Sequence, residues 1–498
     1  KKKQDHPSRR HRNVKLQMMN SDEFRKQGHE IVEWIARYYE NIEQYPVKSR
    51  SLPGSVKGRL PLHPPSVSQP FDNFLKDFDD IIMPGITHWQ SPNFFAYFPA
   101  NSSPPSVLAE MLTAALGAQC MIWETSPAAA ELEERMMEWL REMTGLPEYF
   151  EGVIQDTAST ATLVAMLTAR EKATSFRSNG TGLFSSATMR VYCSSQSHSS
   201  VEKGAGIAGI GRENVVRVPV REDFSLDPDE LRRAIDDDLS AGYVPCCVVA
   251  TIGTTGTTAI DPLRMIGEIC SEKGIWLHVD AALGGTALLL PEMRWMADGI
   301  EYADSLVFNP HKWMFTNFDC SAYFVRDAAS LIRTFDILPE YLRTRTRGKV
   351  NDYRDWGIQL GRRFRALKLW AVIRTYGVDQ LKEKIREHLR LAKMLAGMIE
   401  ADKEFRLMAP VHLNTVCFRW QPADMSDDVA DKLNEKLNHL LNDTGKLYLS
   451  HTKTNGRYVL RMVTAQTGVQ ERHVAEAWRL IRETASAISS QRGAVDID

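Results

Sequence analysis

The sequence predicts an α/β protein with a mostly parallel sheet, helices on both faces of that sheet, and a smaller α+β domain after it. Three observations support this prediction. Apolar strand-like runs alternate with helical patterns in the centre of the chain, a long helical pattern (RRFRALKLWAVIRTYG) follows Gly361, and two further helical patterns surround short strand-like runs near the end. A chain of 498 residues has room for two to four compact units, at about 150 residues each.

The central alternation contains six strand-like runs with helical patterns before or between them. The strands are predicted at 190–194, 215–220, 246–252, 275–279, 305–308 and 322–325, and the helices at 127–144, 161–173 and 262–273. In the tail, helices are predicted near 428–441 and 471–489, and strands at 415–419 and 458–463. Strands separated by helices are typical of a parallel sheet that is buried on both faces.

Three segments precede this centre. Residues 1–19 are basic and contain no apolar core segment, which predicts a flexible arm, although a cloning remnant or part of a transit segment fits them too. A helix is predicted from Asn20, which has capping-box spacing to Glu23, and residues 46–70 are rich in Pro, Gly and Ser, as in an extended connection. The helix carries an apolar stripe formed by Phe24, Ile31, Val32, Ile35, Tyr39 and Ile42. This stripe needs a partner, either a second subunit or the chain's own core.

Composition and charge exclude several classes of protein. The 61 basic and 63 acidic side chains leave a net charge of −2, so no strong overall field favours nucleic acid or a membrane surface. No stretch approaches the length of apolar sequence that a membrane span requires. The seven cysteines have neither CxxC spacing nor nearby paired histidines, which predicts a reducing, cytoplasmic compartment and neither a disulfide framework nor a metal site.

A lysine and an aspartate mark the candidate site. Lys312 follows the strand-like run in VFNPHKW, and Asp280 ends an earlier run in IWLHVD. Open α/β sheets bind their ligands at the carboxyl ends of strands. A lysine amine and a carboxylate there are the pair needed to hold pyridoxal phosphate (PLP), because the amine forms a Schiff base with its aldehyde and the carboxylate keeps its pyridine nitrogen protonated. In isolation, either residue fits a solvated surface charge as well.

Two further features strengthen this interpretation. The residues Asp156, Thr157, Ala158 and Ser159 precede a helical pattern, and small hydroxylated residues at a helix N-terminus form an anion site suited to a phosphate. His198, in SQSHSSVEKG, follows a strand-like run and is placed to stack on a flat cofactor ring. An ordinary helix cap and a structural histidine are the alternatives for each feature alone.

Long segments of the chain resemble the group II PLP-dependent decarboxylases, and within them the aromatic-L-amino-acid decarboxylases. The resemblance is carried by NSDEFRKQGHEIVEWIARYYENIEQYPV, PGITHWQSPNFFAYFPANSS, SPAAAELE, GVIQDTASTATLVAMLTAR, SQSHSSVEKG, VATIGTTGTT, WLHVDAA, ADSLVFNPHKW, FDCSAYFV and GRRFRALKLW. It implies the fold of aspartate aminotransferases, with a seven-stranded sheet in the large domain, and an obligate homodimer with the active site at the subunit interface. The domains implied are an arm (1–19), a dimer-wrapping helical segment (20–105), a large PLP-binding domain (106–376) and a small C-terminal domain (377–498).

The resemblance also assigns roles to individual residues. Lys312 would bond to the cofactor, Asp280 would pair with its pyridinium, and His198 would stack on its ring. The phosphate would be held by Thr157, Ala158 and Ser159 with help from Asn309 and His311, and Thr255 and Ala282 would line the cofactor. Trp89, Tyr97 and Phe98 match the aromatic segment of the family's substrate pocket.

Four positions depart from the pattern of the animal enzymes. These are Ala100 in place of Thr, Asp156 in place of Gly, Met121 in place of Phe and Leu283 in place of Tyr. They leave the cofactor residues intact and affect the expected shape of the substrate pocket, to which Met121 is assigned.

The polar segment RTRTRGKVNDYRDWG is predicted to be the family's catalytic loop, with Tyr353 as its tyrosine. Plant relatives with Phe at this position form aldehydes, whereas those with Tyr form amines, and a phenol can donate a proton while Phe cannot. His198 is likewise the decarboxylase-type residue. Tyr353 therefore predicts an amine product, with aldehyde synthesis, which also yields ammonia and peroxide, as the alternative.

Gly361 indicates which aromatic substrates the pocket accepts. It matches the glycine of indole-accepting enzymes, where tyrosine-selective plant relatives carry Ser, so tryptophan or a hydroxylated aromatic amino acid is expected; a role in helix packing alone is the other interpretation. Decarboxylation of histidine by the same residues is a further alternative. A catalytically inactive binding protein is disfavoured, because no structural need explains Lys312, Asp280, His198 and Tyr353 together.

Overall fold

The structure is a computed structural model that describes residues 19–183, 187–337 and 348–495, with side chains described to residue 490. The described part forms two compact units, one made of residues 19–45 and Ser49–Ile86 and the other of Pro46–Lys48 and Thr87 onward. Residues 87–105, which were predicted to belong to the N-terminal segment, group with the second unit. Nearly all of the basic arm (1–18) and the start of the predicted catalytic loop (343–347) lie outside the described residues.

The first unit contains one longer α-helix and two short ones. Its helices are α1 (Ser21–Glu40), α2 (Ser55–Arg59) and α3 (Phe71–Asp77). The predicted capping box is present at the start of α1: the Asn20 side chain accepts from the backbone N–H of Glu23, and the Glu23 carboxylate accepts from the backbone N–H of Asn20. The indole of Trp34 donates to Asp79 at 2.8 Å, which fixes α1 against the turn after α3.

A seven-stranded sheet forms the centre of the second unit within the described residues. Its strands are β1 (Glu151–Gln155), β2 (Met189–Ser194), β3 (Val215–Val218), β4 (Val244–Thr251), β5 (Trp276–Asp280), β6 (Ser305–Phe308) and β7 (Ser321–Val325). They are arranged in the order β1-β7-β6-β5-β4-β2-β3, and β7 alone runs antiparallel to its two neighbours. The predicted mostly parallel sheet is therefore confirmed.

Helices cover both faces of this sheet. In chain order they are α4 (Pro104–Leu116), α5 (Pro127–Thr144), α6 (Ala158–Ala173), α7 (Ser178–Thr181), α8 (Ser200–Ile207), α9 (Pro228–Ser240), α10 (Leu263–Lys273), α11 (Pro310–Trp313) and α12 (Ala328–Phe335). Side chains of β4 alternate between two separate cores: Val248 and Ala250 belong to one, and Cys247 and Val249 to the other. This alternation is what a strand buried on both faces requires.

The C-terminal part is a four-stranded antiparallel sheet with helices. Its elements are α13 (Arg365–Glu400), β8 (Phe405–Leu407), β9 (Thr415–Trp420), α14 (Asp427–Asp443), β10 (Ser450–Thr454), β11 (Arg457–Val463) and α15 (Glu471–Val495), and its strand order is β10-β11-β9-β8. Gly377 interrupts α13 with a φ of 69°, a conformation that favours glycine. This break falls at the predicted boundary between the large and small domains. None of the helices in the described ranges has the length and apolar character needed to cross a bilayer.

Candidate active site

A cavity of about 230 Å³ lies at the carboxyl ends of the central strands. All ten residues predicted to bind the cofactor line it, together with Phe98 of the predicted substrate pocket. The remaining lining residues were not predicted from the sequence; they are Ser200, Thr251, Gly253 and Phe318. The lining thus combines residues at a helix N-terminus with a lysine and an aspartate.

Lys312 and Asp280 are held by a short hydrogen-bonded connection. Asp280, the last residue of β5, is 6% exposed and accepts a hydrogen bond from the backbone N–H of Ala282 at 3.0 Å. The backbone N–H of Asn309 donates to the Ala282 carbonyl at 3.0 Å, and the N–H of Lys312 donates to the Asn309 carbonyl at 2.9 Å. The turn after β6 is therefore fixed relative to the end of β5, which brings the amine and the carboxylate into one cavity.

Burial and neighbouring charges set the pKa of the Lys312 amine. Burial lowers the pKa of Lys312 to about 8, with the Arg461 guanidinium acting in the same direction and the Asp280 carboxylate opposing both. A lysine with such a pKa has a reactive, uncharged fraction at neutral pH that an ordinary surface lysine lacks.

His198 is a neutral, oriented ring in the cavity wall. Its Nδ1 atom accepts from the backbone N–H of Ser200 at 3.1 Å and lies 2.9 Å from the Ser200 hydroxyl oxygen. Burial lowers the pKa of His198, and the charge of Lys312 lowers it further against the opposing effect of Asp280. Because Nδ1 accepts a backbone hydrogen bond, the ring proton lies on Nε2.

The N-terminus of α6, where the sequence predicts a phosphate site, lines the same cavity. Thr157 is the N-cap, and its side-chain oxygen accepts from the N–H of Thr160 at 3.3 Å. The helix therefore begins at Ala158, three residues before the predicted start, because the threonine cap satisfies a first-turn N–H group. Ala158 and Ser159 line the cavity, and no acceptor for their backbone N–H groups is found among the described residues, as an anion site at a helix N-terminus requires.

Buried polar contacts fix Asn309 and His311 beside Lys312. The Asn309 side-chain oxygen accepts from the Ser321 hydroxyl at 2.8 Å. His311 Nδ1 accepts from the backbone N–H of Cys320 at 2.9 Å, and burial lowers the pKa of His311 to about 3, so the ring is neutral. Both side chains are thus oriented by β7 and its preceding residue rather than by solvent.

Arg461, on β11, is a residue that the sequence interpretation missed. Its guanidinium donates to the backbone carbonyls of Gly256 at 3.1 Å and Tyr97 at 2.9 Å. It lies 4.7 Å from the ring centroid of Phe98, and Lys312 Nζ lies 5.0 Å from the same centroid. Arg461 therefore fixes the Phe98 wall and the loop that contains Thr255, and no sequence spacing points to it because its partners are more than 200 residues away.

The other predicted pocket residues do not line this cavity. Trp89 and Tyr97 stack on each other with ring centroids 5.8 Å apart, and the Tyr97 hydroxyl lies 3.3 Å from that of Tyr448. Tyr97 directly precedes Phe98 in the chain, so this pair of rings belongs to the same segment as the Phe98 wall.

Met121, Tyr353 and Gly361 belong to a second group. The Met121 carbonyl accepts from the backbone N–H of Arg354 at 2.9 Å, and the backbone N–H of Arg362 donates to Gln119 at 2.7 Å. The segment around residues 119–123 thus holds the polypeptide that carries Tyr353 and Gly361. The predicted substrate residues are therefore divided into two groups within one chain.

Tyr353 lies in a separate cavity of about 110 Å³ that β1 and α5 help to form. Its ring is 3% exposed, packs at 5.5 Å from Trp356 and lies under the guanidinium of Arg362 at 4.9 Å. Burial holds the pKa of Tyr353 well above its usual value, and the nearby Glu133 carboxylate adds to the effect. The phenol therefore keeps its proton at neutral pH.

This donor set fits PLP. A phosphate needs N–H donors, which the free groups of Ala158 and Ser159 supply; a pyridine nitrogen needs an acid partner, which Asp280 supplies; and an aldehyde needs an amine, which Lys312 supplies. Thr251 adds a buried hydroxyl that has no partner in the described part of the chain.

Residues 53–421 match the family model described as the pyridoxal-dependent decarboxylase conserved domain. The chain belongs to the pyridoxal-dependent decarboxylase family. Its cofactor is accordingly PLP, and the enzyme is a carboxy-lyase with the fold type I architecture of PLP enzymes.

Relatives of this decarboxylase cover nearly its whole length. It is 42% identical over 489 residues to tyrosine decarboxylase 1 of Narcissus pseudonarcissus, covering 95% of this chain and 94% of that protein. It is 43% identical over 481 residues to phenylacetaldehyde synthase of Arabidopsis thaliana, covering 95% and 97%. The crystal structure of Oryza sativa TDC with PLP and tryptamine matches with a TM-score of 0.92 at 37% identity, covering 95% of this chain and 99% of that one.

Proposed function

We propose that this enzyme removes carbon dioxide from aromatic L-amino acids and releases the arylalkylamine. The observation that carries the proposal is the aromatic wall of Phe98, 5.0 Å from Lys312 Nζ, in a cavity that also contains Asp280. An aromatic side chain of a substrate would find an apolar surface there, next to the amine that holds the cofactor. Relatives named for tyrosine and tryptophan decarboxylation support the same substrate class.

When bound, PLP supplies the electron sink that allows the bond to the α-carboxylate to break. Lys312 would provide the amine for the cofactor aldehyde, since its pKa of about 8 leaves part of it uncharged. Asp280 would hold a proton on the pyridine nitrogen, and the neutral ring of His198 would contact the cofactor face. Ala158 and Ser159 would donate backbone hydrogen bonds to the phosphate, with Thr157, Asn309 and His311 beside it.

Tyr353 favours the amine over the aldehyde. The phenol is protonated at neutral pH, as tyrosine ordinarily is, so it has a proton that it can donate to the substrate carbon. A phenylalanine there would have no such proton. Aldehyde formation remains the second candidate, because one relative at 43% identity is named phenylacetaldehyde synthase.

A homodimer would complete the site. Within one chain, Tyr353, Met121 and Gly361 do not line the Lys312 cavity, although their predicted roles require contact with substrate. Helix α4 exposes four large apolar side chains: Leu108, Met111, Leu112 and Leu116. An exposed apolar face of this kind is typical of a protein–protein interface. We propose that a second copy covers α4 and places one group of pocket residues against the other.

Indolic substrates fit the position of Gly361. A Cβ atom added there would lie 3.5 Å from the Gln119 side-chain nitrogen, an ordinary contact. Packing within the chain therefore does not require glycine at this position, which favours a role in admitting a larger substrate ring. The free cysteines, all seven of them buried, suit the reducing cytoplasm proposed as the enzyme's location.

Product analysis tests the function. The PLP-loaded enzyme would be supplied with tryptophan, 5-hydroxytryptophan, DOPA, tyrosine, phenylalanine and histidine, and amine, aldehyde, carbon dioxide and peroxide would be measured in parallel. The proposal expects amine and carbon dioxide in equal amounts from at least one aromatic substrate, without peroxide. Stoichiometric aldehyde and peroxide would show the synthase instead, and turnover of histidine alone would overturn the aromatic assignment.

A further inference from the structure

A carboxylate lies directly before the helix N-terminus that lines the cavity and that we propose as the site of the cofactor phosphate. Asp156 lies between β1 and the N-cap of α6. Its Oδ1 atom accepts from the backbone N–H of Thr157 at 2.6 Å, and its Oδ2 atom accepts from the side chain of Gln359 at 2.9 Å. The first N–H group of this anion site is therefore already taken by an internal anion.

Asp156 is ionised at neutral pH. Burial alone would raise its pKa, but hydrogen bonds from the side chains of Thr160 and Gln359 and from the backbone of Thr157 outweigh burial and hold the pKa below the ordinary value. The Arg365 guanidinium acts in the same direction, although its hydrogen bonds go to Asp319. Asp156 thus keeps its negative charge beside the donors at Ala158 and Ser159.

This charge opposes the phosphate electrostatically. A phosphate monoester carries between one and two negative charges at neutral pH, and a helix N-terminus favours it through N–H groups and the helix dipole. A fixed carboxylate next to the same N–H groups repels it and uses one of the donors. Neither effect acts on the part of the cofactor that contacts Lys312 and Asp280.

Gln359 holds the carboxylate in this place. The end of β1 contacts the polypeptide after Tyr353 twice, because Gln155 donates to the Trp356 carbonyl at 3.0 Å and Asp156 accepts from Gln359. The Asp156 backbone carbonyl also accepts from Ser321 at 3.3 Å. The backbone of Asp156 is therefore fixed by Ser321, and its carboxylate cannot turn away from the helix N-terminus without breaking the contacts with Thr157 and Gln359.

We propose that Asp156 weakens the protein's hold on the cofactor phosphate and so sets the affinity for PLP, with Gln359 as the residue that keeps the carboxylate beside the phosphate donors. Asp156 is in this sense an affinity-determining residue that contacts the N–H group of Thr157, directly before the proposed phosphate donors. It takes no part in the bond-breaking step.

The test uses a cofactor analogue that cannot bond covalently to Lys312. Pyridoxamine 5′-phosphate has an amine in place of the aldehyde, and pyridoxamine is the same molecule without the phosphate. Dissociation constants of both for the full-length, cofactor-free chain would be measured by calorimetry for the unaltered protein, Asp156→Asn and Gln359→Leu. Glu148→Gln, which removes an exposed carboxylate that precedes β1, is the matched control.

Asp156→Asn is expected to bind pyridoxamine 5′-phosphate about threefold to tenfold more tightly, as removal of one nearby like charge predicts. Pyridoxamine binding should stay within about twofold, since it has no phosphate to repel. Gln359→Leu, which removes the hydrogen bond that holds the Asp156 carboxylate without adding a charge, should tighten binding of the phosphorylated ligand only, and by less than Asp156→Asn. Glu148→Gln should change neither constant.

Two results would overturn the proposal. If Asp156→Asn bound the phosphorylated ligand no more tightly than the unaltered protein, the carboxylate would not oppose the phosphate. If both ligands changed by the same factor, Asp156 would act on the general structure of the cavity. Should Asp156→Asn fail to fold, judged by circular dichroism, Gln359→Leu decides alone: an affinity for the phosphorylated ligand equal to that of the unaltered protein would contradict the proposal.

Discussion

The indole N–H of Trp313 donates a hydrogen bond of 2.9 Å to Nδ1 of His388, and both side chains are fully buried. Trp313 follows Lys312 in α11, whereas His388 lies on α13. The turn that holds the reactive lysine is therefore fixed to the long helix that leads into the C-terminal domain. The His388 carbonyl accepts in turn from the Thr464 hydroxyl at 3.0 Å, which extends the connection beyond β11.

Removal of the acceptor should destabilise the protein. His388→Leu leaves the buried Trp313 N–H without a partner, which typically costs about 1–3 kcal/mol in the free energy of unfolding. Trp313→Phe in the His388→Leu background removes the unpaired donor. The double variant should therefore lose less free energy of unfolding than the sum of the losses of the two single variants. Chemical denaturation of the four proteins measures this coupling, and strictly additive costs would show that the hydrogen bond contributes nothing.

The pH dependence of cofactor addition should follow Lys312. Only the uncharged amine adds to an aldehyde, so the rate of PLP addition to the cofactor-free chain should rise with pH and level off above about 8. Asp280 raises the pKa of Lys312 by stabilising the ammonium form, so Asp280→Asn should move the midpoint to lower pH. Stopped-flow absorbance gives the profile; a midpoint unchanged or raised in the variant would show that the carboxylate does not act on the amine.

Tyr353→Phe should change the product rather than the affinity for substrate. The variant loses the only proton that this side chain can donate, so amine formation should fall by at least about tenfold, while aldehyde and peroxide appear. Trp356→Phe, a substitution of the ring that packs against Tyr353 at 5.5 Å, controls for altered packing of the segment. An undiminished yield of amine without peroxide from Tyr353→Phe would exclude the proton-donor role.

Gly361→Ser should narrow the range of substrates. A side chain at this position makes only an ordinary contact within its own chain, so the protein should fold normally, and the hydroxymethyl group would reduce the room for a bicyclic ring. The ratio of kcat/KM for tryptophan to that for tyrosine should fall severalfold, which corresponds to about 1 kcal/mol of discrimination. Equal losses for both substrates would count against a pocket role for this glycine.

Most of the central sheet could be predicted from the sequence, because strands buried on both faces are continuous apolar runs. The strand β6 (Ser305–Phe308) and the helix α5 (Pro127–Thr144) were predicted with the bounds they have. Strand β1 (Glu151–Gln155) was missed, since EGVIQ is short and has polar ends at the edge of the sheet. The number of strands, seven, and the aspartate-aminotransferase fold were predicted from the resemblance to the family and not from the apolar pattern.

The site was predictable where a chemical role needs a particular residue type. Lys312, Asp280 and the donors at Ala158 and Ser159 fall into this group, and the structure brings them into one cavity. Arg461 could not be found this way, because it acts through the backbone carbonyls of Tyr97 and Gly256, which have no sequence signature. The separation of Tyr353 from Lys312 was equally hidden, since motif spacing does not show which cavity a side chain occupies.

Peptide mapping after borohydride reduction of the PLP-loaded enzyme tests the central assignment most directly. Reduction makes the bond between the lysine and the cofactor permanent, so the modified residue can be identified by mass spectrometry. The assignment predicts the added mass of one reduced cofactor on Lys312 and none on the buried Lys368, whose pKa burial also lowers to about 8. Cofactor mass on Lys368 or another lysine, with Lys312 unmodified, would contradict it.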